Sequence, residues 1–178
     1  MQILVTGGTG FIGQSLVKKL LKQGHDVRIV ARSTPPSDDK QPKGVTYHSC
    51  DLSAQLLPSS ALSGVDLVFH VAAKAGVSGN YSSYHSANYQ ATLNVLEGCL
   101  SSGVPRLVYT STPSVTFSGK PIRAGTESLP YAKDKVSYYS LTKAMAEKAV
   151  LEAHDSGKLQ TLALRPHLVW GEGDPHLL

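Results

Sequence analysis

Residues 2–13 read QILVTGGTGFIG, and this stretch decides the fold. A run of strand-forming residues leads directly into glycines at Gly7, Gly10 and Gly13, and a segment of helical periodicity begins at Phe11. Glycines at this spacing allow a tight turn, let a pyrophosphate approach the backbone and let the helix pack closely on the strand. The N–H groups at the start of the helix then face the phosphates. Because a strand precedes the glycines and a helix follows them, we predict a dinucleotide site rather than an ordinary glycine-rich turn.

Short apolar runs alternate with longer helical segments along the rest of the chain, which is typical of a parallel sheet built from βαβ units. We predict strands at 2–6, 27–31, 45–48, 65–71, 106–110 and 161–164, and helices at 11–23, 82–102 and 136–154. The polar residues 33–43 are predicted to form a loop. This order predicts an α/β fold with a doubly wound, mostly parallel, Rossmann-like sheet.

Composition narrows the class of protein further. The 178 residues, of which 41% are hydrophobic and 17% charged, suit one folded domain. The net charge of +4 comes without a Lys/Arg run, so we expect no nucleic-acid partner. We expect neither a signal peptide nor a membrane-spanning helix, because the apolar stretches are too short. Cys50 and Cys99 form neither a disulfide framework nor a metal-ligand spacing, so we expect reduced core cysteines, no metal and a cytoplasmic location.

The end of the second predicted strand bears on the choice of cofactor. An NAD-selective site usually places a carboxylate there, about 20 residues after the glycines, to bind the ribose 2′-hydroxyl. Ala31 stands at this position, Arg32 and Ser33 follow it, and the next acid is Asp38. A guanidinium beside a hydroxyl suits a 2′-phosphate, although a solvated surface arginine is the simpler interpretation of Arg32. The missing acid favours NADP(H) over NAD(H).

Tyrosine followed four residues later by lysine occurs twice, at Tyr131/Lys135 and at Tyr139/Lys143. The second pair lies inside a predicted helix, where the i,i+4 spacing puts both side chains on one face. We expect the ammonium to lower the phenol pKa from about 10, so that Tyr139 can transfer a proton near neutral pH. An exposed helical pair is the alternative, which the glycine turn disfavours. A third group is expected from the hydroxyls at the end of the fifth strand, in residues 109–114, YTSTPS.

Taken together, these motifs resemble the extended short-chain dehydrogenase/reductases, in the branch of the 3β-hydroxysteroid dehydrogenases. The matching pieces are the glycine turn at 6–13, DL at 51–52, HVAA at 70–73, Asn88, YTST at 109–112, the tyrosine and lysine at 139 and 143, LRP at 164–166 and WG at 170–171. The resemblance implies an NAD(P)-dependent oxidoreductase that interconverts an alcohol and a ketone. It spans nearly the whole chain.

Within that branch the residues at 70–76, 81–88 and 104–115 are similar to bacterial reductases of long-chain olefin biosynthesis. That likeness implies NADPH-dependent reduction of a hydrophobic, long-chain 2-alkyl-3-oxoalkanoate to the 2-alkyl-3-hydroxyalkanoate. A 3β-hydroxysteroid dehydrogenase-like activity and a nucleotide-sugar epimerase are alternatives, and the missing acid at Ala31 disfavours the epimerase, which retains NAD. A dinucleotide-binding sensor without catalysis is a further alternative. The retention of Tyr139, Lys143 and Thr112 disfavours the sensor.

The resemblance also implies roles for individual residues. Tyr139 would be the general acid/base, Lys143 would tune its pKa and bind the ribose, and Thr112 would be the active-site hydroxyl, with Ser111 as the fallback. Asp51 and Leu52 would meet the adenine, Pro166 and Val169 the nicotinamide, and Asn88 would support the active-site network. With Tyr139 and Lys143, the implied cofactor-binding set is Gly7, Thr9, Gly10, Phe11, Ile12, Gly13, Arg32, Ser33, Asp51, Leu52, Ala72, Ala73, Lys74, Asn88, Thr110, Pro166 and Val169.

Family members continue beyond residues 171–174 into a smaller substrate domain. We therefore expect residues 1–178 to form the NAD(P)-binding Rossmann domain, truncated at its C-terminus, with most of the substrate pocket missing. The family dimerises through two long helices, here 82–102 and 136–154, which implies a homodimer; other enzymes of the same pathway are possible partners. We interpret His70 as a packing residue at a strand end and assign His85 no catalytic role.

Overall fold

The computed structural model describes residues 1–32, 42–76, 78–132, 137–171 and 173–174. Its strands are β1 (Gln2–Thr6), β2 (Asp26–Ala31), β3 (Val45–Ser49), β4 (Leu67–His70), β5 (Arg106–Thr110) and β6 (Gln160–Leu164). They form one parallel sheet in the order β3-β2-β1-β4-β5-β6. The strand order reverses between β1 and β4, and in sheets of this kind the ligand binds outside the carboxyl ends at that point. The predicted doubly wound, Rossmann-like fold is confirmed.

The helices lie between these strands in the sequence. They are α1 (Phe11–Lys22), α2 (Ser59–Leu62), α3 (Tyr81–Tyr84), α4 (Ala91–Ser101) and α5 (Tyr138–Asp155), with a π-helical stretch at His85–Gln90 and a 3₁₀ turn at Pro113–Thr116. The sequence did not predict α2 or the 3₁₀ turn, because four residues are too few to establish a periodicity.

Two predicted elements differ from the structure in an informative way. The helix expected to begin at residue 136 begins at Tyr138, because Ser137 caps it. The Ser137 hydroxyl accepts a hydrogen bond from the Ser140 N–H at 3.0 Å, and the Ser137 N–H donates to the Ser140 hydroxyl at 3.2 Å. The regular helix expected at 82–102 runs from Tyr81 to Ser101, and its turns widen into the π-helix between α3 and α4.

Alternating side chains of the strands build an apolar core on each face of the sheet. In β1, Leu4 packs with α4 and α5 on one face, while Ile3 and Val5 pack with α1 on the other. Val17 and Leu20 supply the buried stripe of α1. Burial of each such side chain contributes about 1.5–3 kcal/mol, so the two cores fix the register of the sheet and the place of α1.

Two expectations from composition can be compared with the structure. Cys50 and Cys99 are both free and both buried, in agreement with the prediction of reduced core residues. No helix within the described parts of the chain combines the length and the apolar character needed to cross a membrane.

The close approach of the backbone at Gly13 gives a test of the glycine turn. A Cβ on Gly13 would lie 2.1 Å from the Gly7 carbonyl oxygen, whereas one on Gly10 would meet that oxygen at 3.4 Å. We expect Gly13→Ala to lower the free energy of unfolding by about 3 kcal/mol, the upper end of the range for overpacking. Gly10→Ala should cost no more than about 1 kcal/mol, the usual effect of an N-cap change. Urea unfolding followed by circular dichroism measures both, and equal losses would contradict the close-packed turn.

Candidate active site

A cleft of about 1050 Å³ opens along the carboxyl edge of the sheet. It runs from the glycine turn and the end of β2 to the end of β5 and one face of α5. Its lining includes these residues of the predicted site: Gly7, Thr9, Gly10, Phe11, Ile12, Gly13, Arg32, Asp51, Leu52, Ala72, Ala73, Lys74, Thr110, Ser111, Thr112, Tyr139, Lys143, Pro166 and Val169. Ser33 lies outside the described residues. Asn88 is buried beside the cleft and does not line it.

The glycine turn is held by backbone hydrogen bonds at the start of α1. The Gly7 N–H donates to the Val30 carbonyl and the Gly10 N–H to the Gly7 carbonyl, each at 3.0 Å. Gly7 has a φ of +68°, and a Cβ there would lie 2.8 Å from the Ala72 backbone, so only glycine fits. Gly10 is the N-cap of α1 and has no side chain to bond the first N–H groups of the helix. Those donors remain open to an anion in the cleft.

The far end of the cleft carries charges of both signs. Arg32 is exposed at its rim, directly after Ala31. Asp51 accepts hydrogen bonds on Oδ1 from the Ser53 hydroxyl at 2.7 Å and the Ser53 N–H at 3.0 Å. These bonds, with a smaller contribution from the charge of Arg32, lower the pKa of Asp51. The positive charge of Arg32 therefore acts both on Asp51 and on any anion that binds beside it.

Tyr139 and Lys143 lie one turn apart on α5, and both line the cleft, as the spacing predicts. The expected lowering of the phenol pKa by the ammonium is wrong. Burial raises the pKa of Tyr139, and a hydrogen-bonding interaction with the Thr112 side chain opposes the rise only in part. The phenol therefore keeps its proton at neutral pH.

The Lys143 ammonium, for its part, is bound by the end of β5. Nζ donates a 2.6 Å hydrogen bond to the Thr110 carbonyl and lies 4.1 Å from the centre of the Tyr109 ring. The side chain is 2% exposed, and burial lowers the pKa of Lys143 to about 7, against the field of Glu147, which raises it. Lys143 is thus held by the end of β5 and can change its charge near neutral pH.

The two neighbouring hydroxyls after β5 have different partners. Thr112 interacts with the Tyr139 phenol, whereas the Ser111 hydroxyl donates a short hydrogen bond to the Glu147 carboxylate. Of the two candidates for the active-site hydroxyl, this arrangement favours Thr112. The role itself stays a prediction.

Sequence reasoning missed the buried carboxylate of Glu147, which is 1% exposed. It accepts a hydrogen bond from the Tyr131 phenol at 2.9 Å and from Arg165 Nη2 at 2.5 Å and Nε at 3.1 Å, besides that from Ser111. Burial alone would raise the pKa of Glu147, but these bonds hold it below its usual value. A signal was available, since Glu147 continues the four-residue spacing of Tyr139 and Lys143. Of the other tyrosine–lysine pair, Tyr131 serves this network and Lys135 lies outside the described residues.

Asn88 supports the backbone of the cleft without lining the cleft itself. Its Oδ1 accepts from the Lys74 N–H at 2.7 Å, and its Nδ2 donates to the Lys74 carbonyl and the Thr142 hydroxyl, each at 3.1 Å. The buried position of Asn88 therefore does not fit the predicted direct contact with a cofactor. Asn88 instead joins the segment after β4 to α5, and it does so from the π-helical stretch.

His70 is the packing residue that the sequence suggested. Its ring is 1% exposed, with Nδ1 2.7 Å from the Thr6 hydroxyl and Nε2 3.0 Å from the Thr92 hydroxyl. Burial and, secondarily, the charge of Lys143 lower the pKa of His70 to about 3, so the ring is neutral. His85 packs against the rings of Tyr81 and Tyr89 at 5.4 and 5.2 Å.

The buried lysine predicts a pH dependence of stability. Lys143 has a pKa of about 7 in the folded chain and an ordinary value of 10.5 when unfolded. Between these values the unfolded state binds more protons, so stability should rise with pH, by up to about 1.4 kcal/mol per pH unit. Urea unfolding of wild type and Lys143→Met from pH 7 to 10 isolates this contribution as the difference between the two proteins. Parallel curves would contradict it.

A model of the 3-beta hydroxysteroid dehydrogenase/isomerase family matches residues 4–178. Among curated relatives, the 2-alkyl-3-oxoalkanoate reductase of Stenotrophomonas maltophilia is 47% identical, over 100% of this chain and 54% of the relative. That of Shewanella oneidensis is 42% identical, over 98% and 46%. The human sterol-4-alpha-carboxylate 3-dehydrogenase, decarboxylating, is 41% identical, over 98% and 46%. The chain thus spans about half the length of these relatives.

Solved structures agree with this relationship. MoeE5 in complex with UDP-glucuronic acid and NAD is 32% identical with a TM-score of 0.79, covering 93% of this chain and 54% of that one. The UDP-glucuronic acid 4-epimerase of Bacillus cereus in complex with NAD is 27% identical with a TM-score of 0.82, covering 96% and 58%. The chain belongs to the 3-beta hydroxysteroid dehydrogenase/isomerase family, which is of the extended short-chain dehydrogenase/reductase type.

Proposed function

We propose that the protein is an NADPH-dependent reductase that converts a hydrophobic 2-alkyl-3-oxoalkanoate into the 2-alkyl-3-hydroxyalkanoate, with residues 1–178 as its cofactor-binding domain. The observation that carries this proposal is the convergence of Tyr139, Lys143 and Thr112 at one end of a cleft whose other end is the glycine turn. The residues present fit a dinucleotide. The first N–H groups of α1 have no side-chain cap, so they can bind phosphate oxygens. The turn before them is tight, since any side chain on Gly7 would clash with the backbone.

When bound, the nicotinamide cofactor supplies a hydride to the carbonyl carbon of the substrate. Thr112 and Tyr139 then hold the ketone oxygen, and Tyr139 gives that oxygen its proton as negative charge develops on it. The raised pKa of Tyr139 suits this direction, since the phenol begins the reaction protonated. Lys143, which lines the cleft with Tyr139, would bind the ribose and support the proton transfer through its positive charge.

The names of the relatives agree on the chemical class of substrate. A 2-alkyl-3-oxoalkanoate carries its ketone on the carbon next to the one that bears the carboxylate. A sterol-4-alpha-carboxylate oxidised at carbon 3 has the same arrangement. A β-oxo or β-hydroxy acid is therefore the substrate class that we favour over a nucleotide sugar. We favour reduction of a 3-oxo acid in particular, because the two 2-alkyl-3-oxoalkanoate reductases are more similar to this chain in sequence than the sterol dehydrogenases are.

Two adjacent tyrosines on α5 allow a matched test of the chemistry. Tyr139 lines the cleft, whereas Tyr138 is 45% exposed and does not. We expect Tyr139→Phe to lower kcat for a 2-alkyl-3-oxoalkanoate by about 10²–10⁴-fold, the usual contribution of a positioned general acid, and Tyr138→Phe to leave it unchanged. NADPH oxidation followed at its nicotinamide absorbance measures both. Wild-type turnover by Tyr139→Phe would end the assignment, and interconversion of UDP-sugars would favour an epimerase.

The preference for NADPH rests on Arg32 at the rim and on Ala31 in place of an acid. We expect Arg32→Ala to weaken NADPH binding about tenfold or more, the loss of one charge-assisted contact, and to leave NADH binding unchanged. Arg106→Ala is the control, because Arg106 is exposed at the opposite, amino end of β5. Cofactor fluorescence gives both affinities. Equal wild-type affinities for NADPH and NADH would contradict the preference.

We also propose a cytoplasmic homodimer that meets its substrate through other enzymes of the same pathway. The free thiols of Cys50 and Cys99 suit a reducing compartment. The helices from Tyr81 to Ser101 and from Tyr138 to Asp155 leave apolar side chains such as Leu100 and Leu151 exposed, as a dimer interface would require. Light scattering of the purified protein tests the dimer, and a monomeric mass would contradict it.

A further inference from the structure

The buried carboxylate of Glu147 joins three segments that are distant in the sequence. Ser111 follows β5, Tyr131 belongs to the long connection before α5, and Arg165 follows β6; each donates to Glu147. The Arg165 guanidinium approaches with two nitrogens and is itself 22% exposed. Five hydrogen bonds, three of them from the Arg165 guanidinium with which it forms an ion pair, satisfy a carboxylate that is 1% exposed and fix its place.

Glu147 stands one helical turn from Lys143, on the same stripe of α5 that carries Tyr139. Its bond to Ser111 holds the end of β5, where the neighbouring Thr110 carbonyl accepts the hydrogen bond of the Lys143 ammonium. The same carboxylate thus acts on Lys143 through its charge and through the position of the acceptor.

We propose that Glu147 is the positioning residue of this site: it keeps the Lys143 ammonium charged and holds the Thr110–Thr112 strand end against α5. The inference rests on the proposed function, in which Lys143 supports proton transfer, and it adds the residue that sets the charge of that lysine. Glu147 touches neither the substrate side of the cleft nor Tyr139 and acts only through its neighbours.

The other groups around Lys143 do not supply the negative charge that would keep its ammonium protonated. Tyr109 lies beneath the ammonium from β5 and Tyr139 precedes it on α5, and the pKa of both phenols is raised, so both are neutral. From β4, His70 is neutral as well. Tyr131 has a pKa of about 12, and Arg165, a cation, is already paired with Glu147. Among the described groups packed around Lys143, Glu147 is the anion.

The test measures the titration of Lys143 directly and needs neither cofactor nor substrate. In protein labelled with ¹³C-lysine, the ¹³Cε shift of Lys143 is titrated against pH, and its resonance is assigned by its loss in Lys143→Arg. Wild type should titrate near neutral pH, and Glu147→Gln should titrate about one pH unit lower, the effect expected for removal of one nearby opposite charge. Glu152→Gln, the same change at an exposed position of α5, should leave the titration unchanged.

Two further variants separate charge from folding. Glu147→Asp keeps the charge and should titrate near the wild-type pH, whereas a titration as low as that of Glu147→Gln overturns the proposal. If Glu147→Gln does not fold, because it leaves the half-buried Arg165 cation against a neutral group, the doubly neutral Glu147→Gln/Arg165→Gln replaces it with the same expectation. An unchanged Lys143 titration in a folded glutamine variant also overturns the proposal. A downward shift in a protein without reductase activity supports the inference and counts against the proposed function alone.

Discussion

The approach of helix α1 to the end of strand β1 is the constraint on which the rest of the structure depends. The two backbones come so close that a single methyl group on Gly13 would overlap the Gly7 carbonyl oxygen. This contact starts α1 at the point where the strand order reverses, with its open N–H groups directed along the carboxyl edge of the sheet. The later strands then bring their own carboxyl ends to the same edge, and the cleft follows from the topology.

The chemistry at the other end of the cleft depends on burial rather than on contact with solvent. Lys143 and Glu147 lie on one stripe of α5, almost without exposed surface, and are held by backbone and side chains from β5 and β6. Burial keeps the Tyr139 phenol protonated and brings the pKa of Lys143 to about 7. A protonated phenol next to a lysine of adjustable charge suits a site that delivers protons to a ketone.

Much of the fold could be predicted because its signals are local. Glycine spacing, alternating apolar runs and the i,i+4 pair of Tyr139 and Lys143 each lie within a few residues of sequence. The Glu147 network could not be predicted in the same way, since Ser111 and Arg165 lie 36 and 18 residues from it. The direction of the Tyr139 pKa shift was also missed, because it depends on desolvation, which has no sequence pattern.

In the proposed reaction, a hydride passes from NADPH to the ketone carbon of a β-oxo acid bound in the cleft. The most direct measurement supplies NADPH deuterated at one face of C4 of the nicotinamide, and in a second reaction at the other face, with a 2-alkyl-3-oxoalkanoate as substrate. Mass spectrometry of the 3-hydroxy acid should find one deuterium on carbon 3 from one of the two cofactors and none from the other. A hydroxy acid without deuterium in both reactions, or no hydroxy acid at all, would contradict the account.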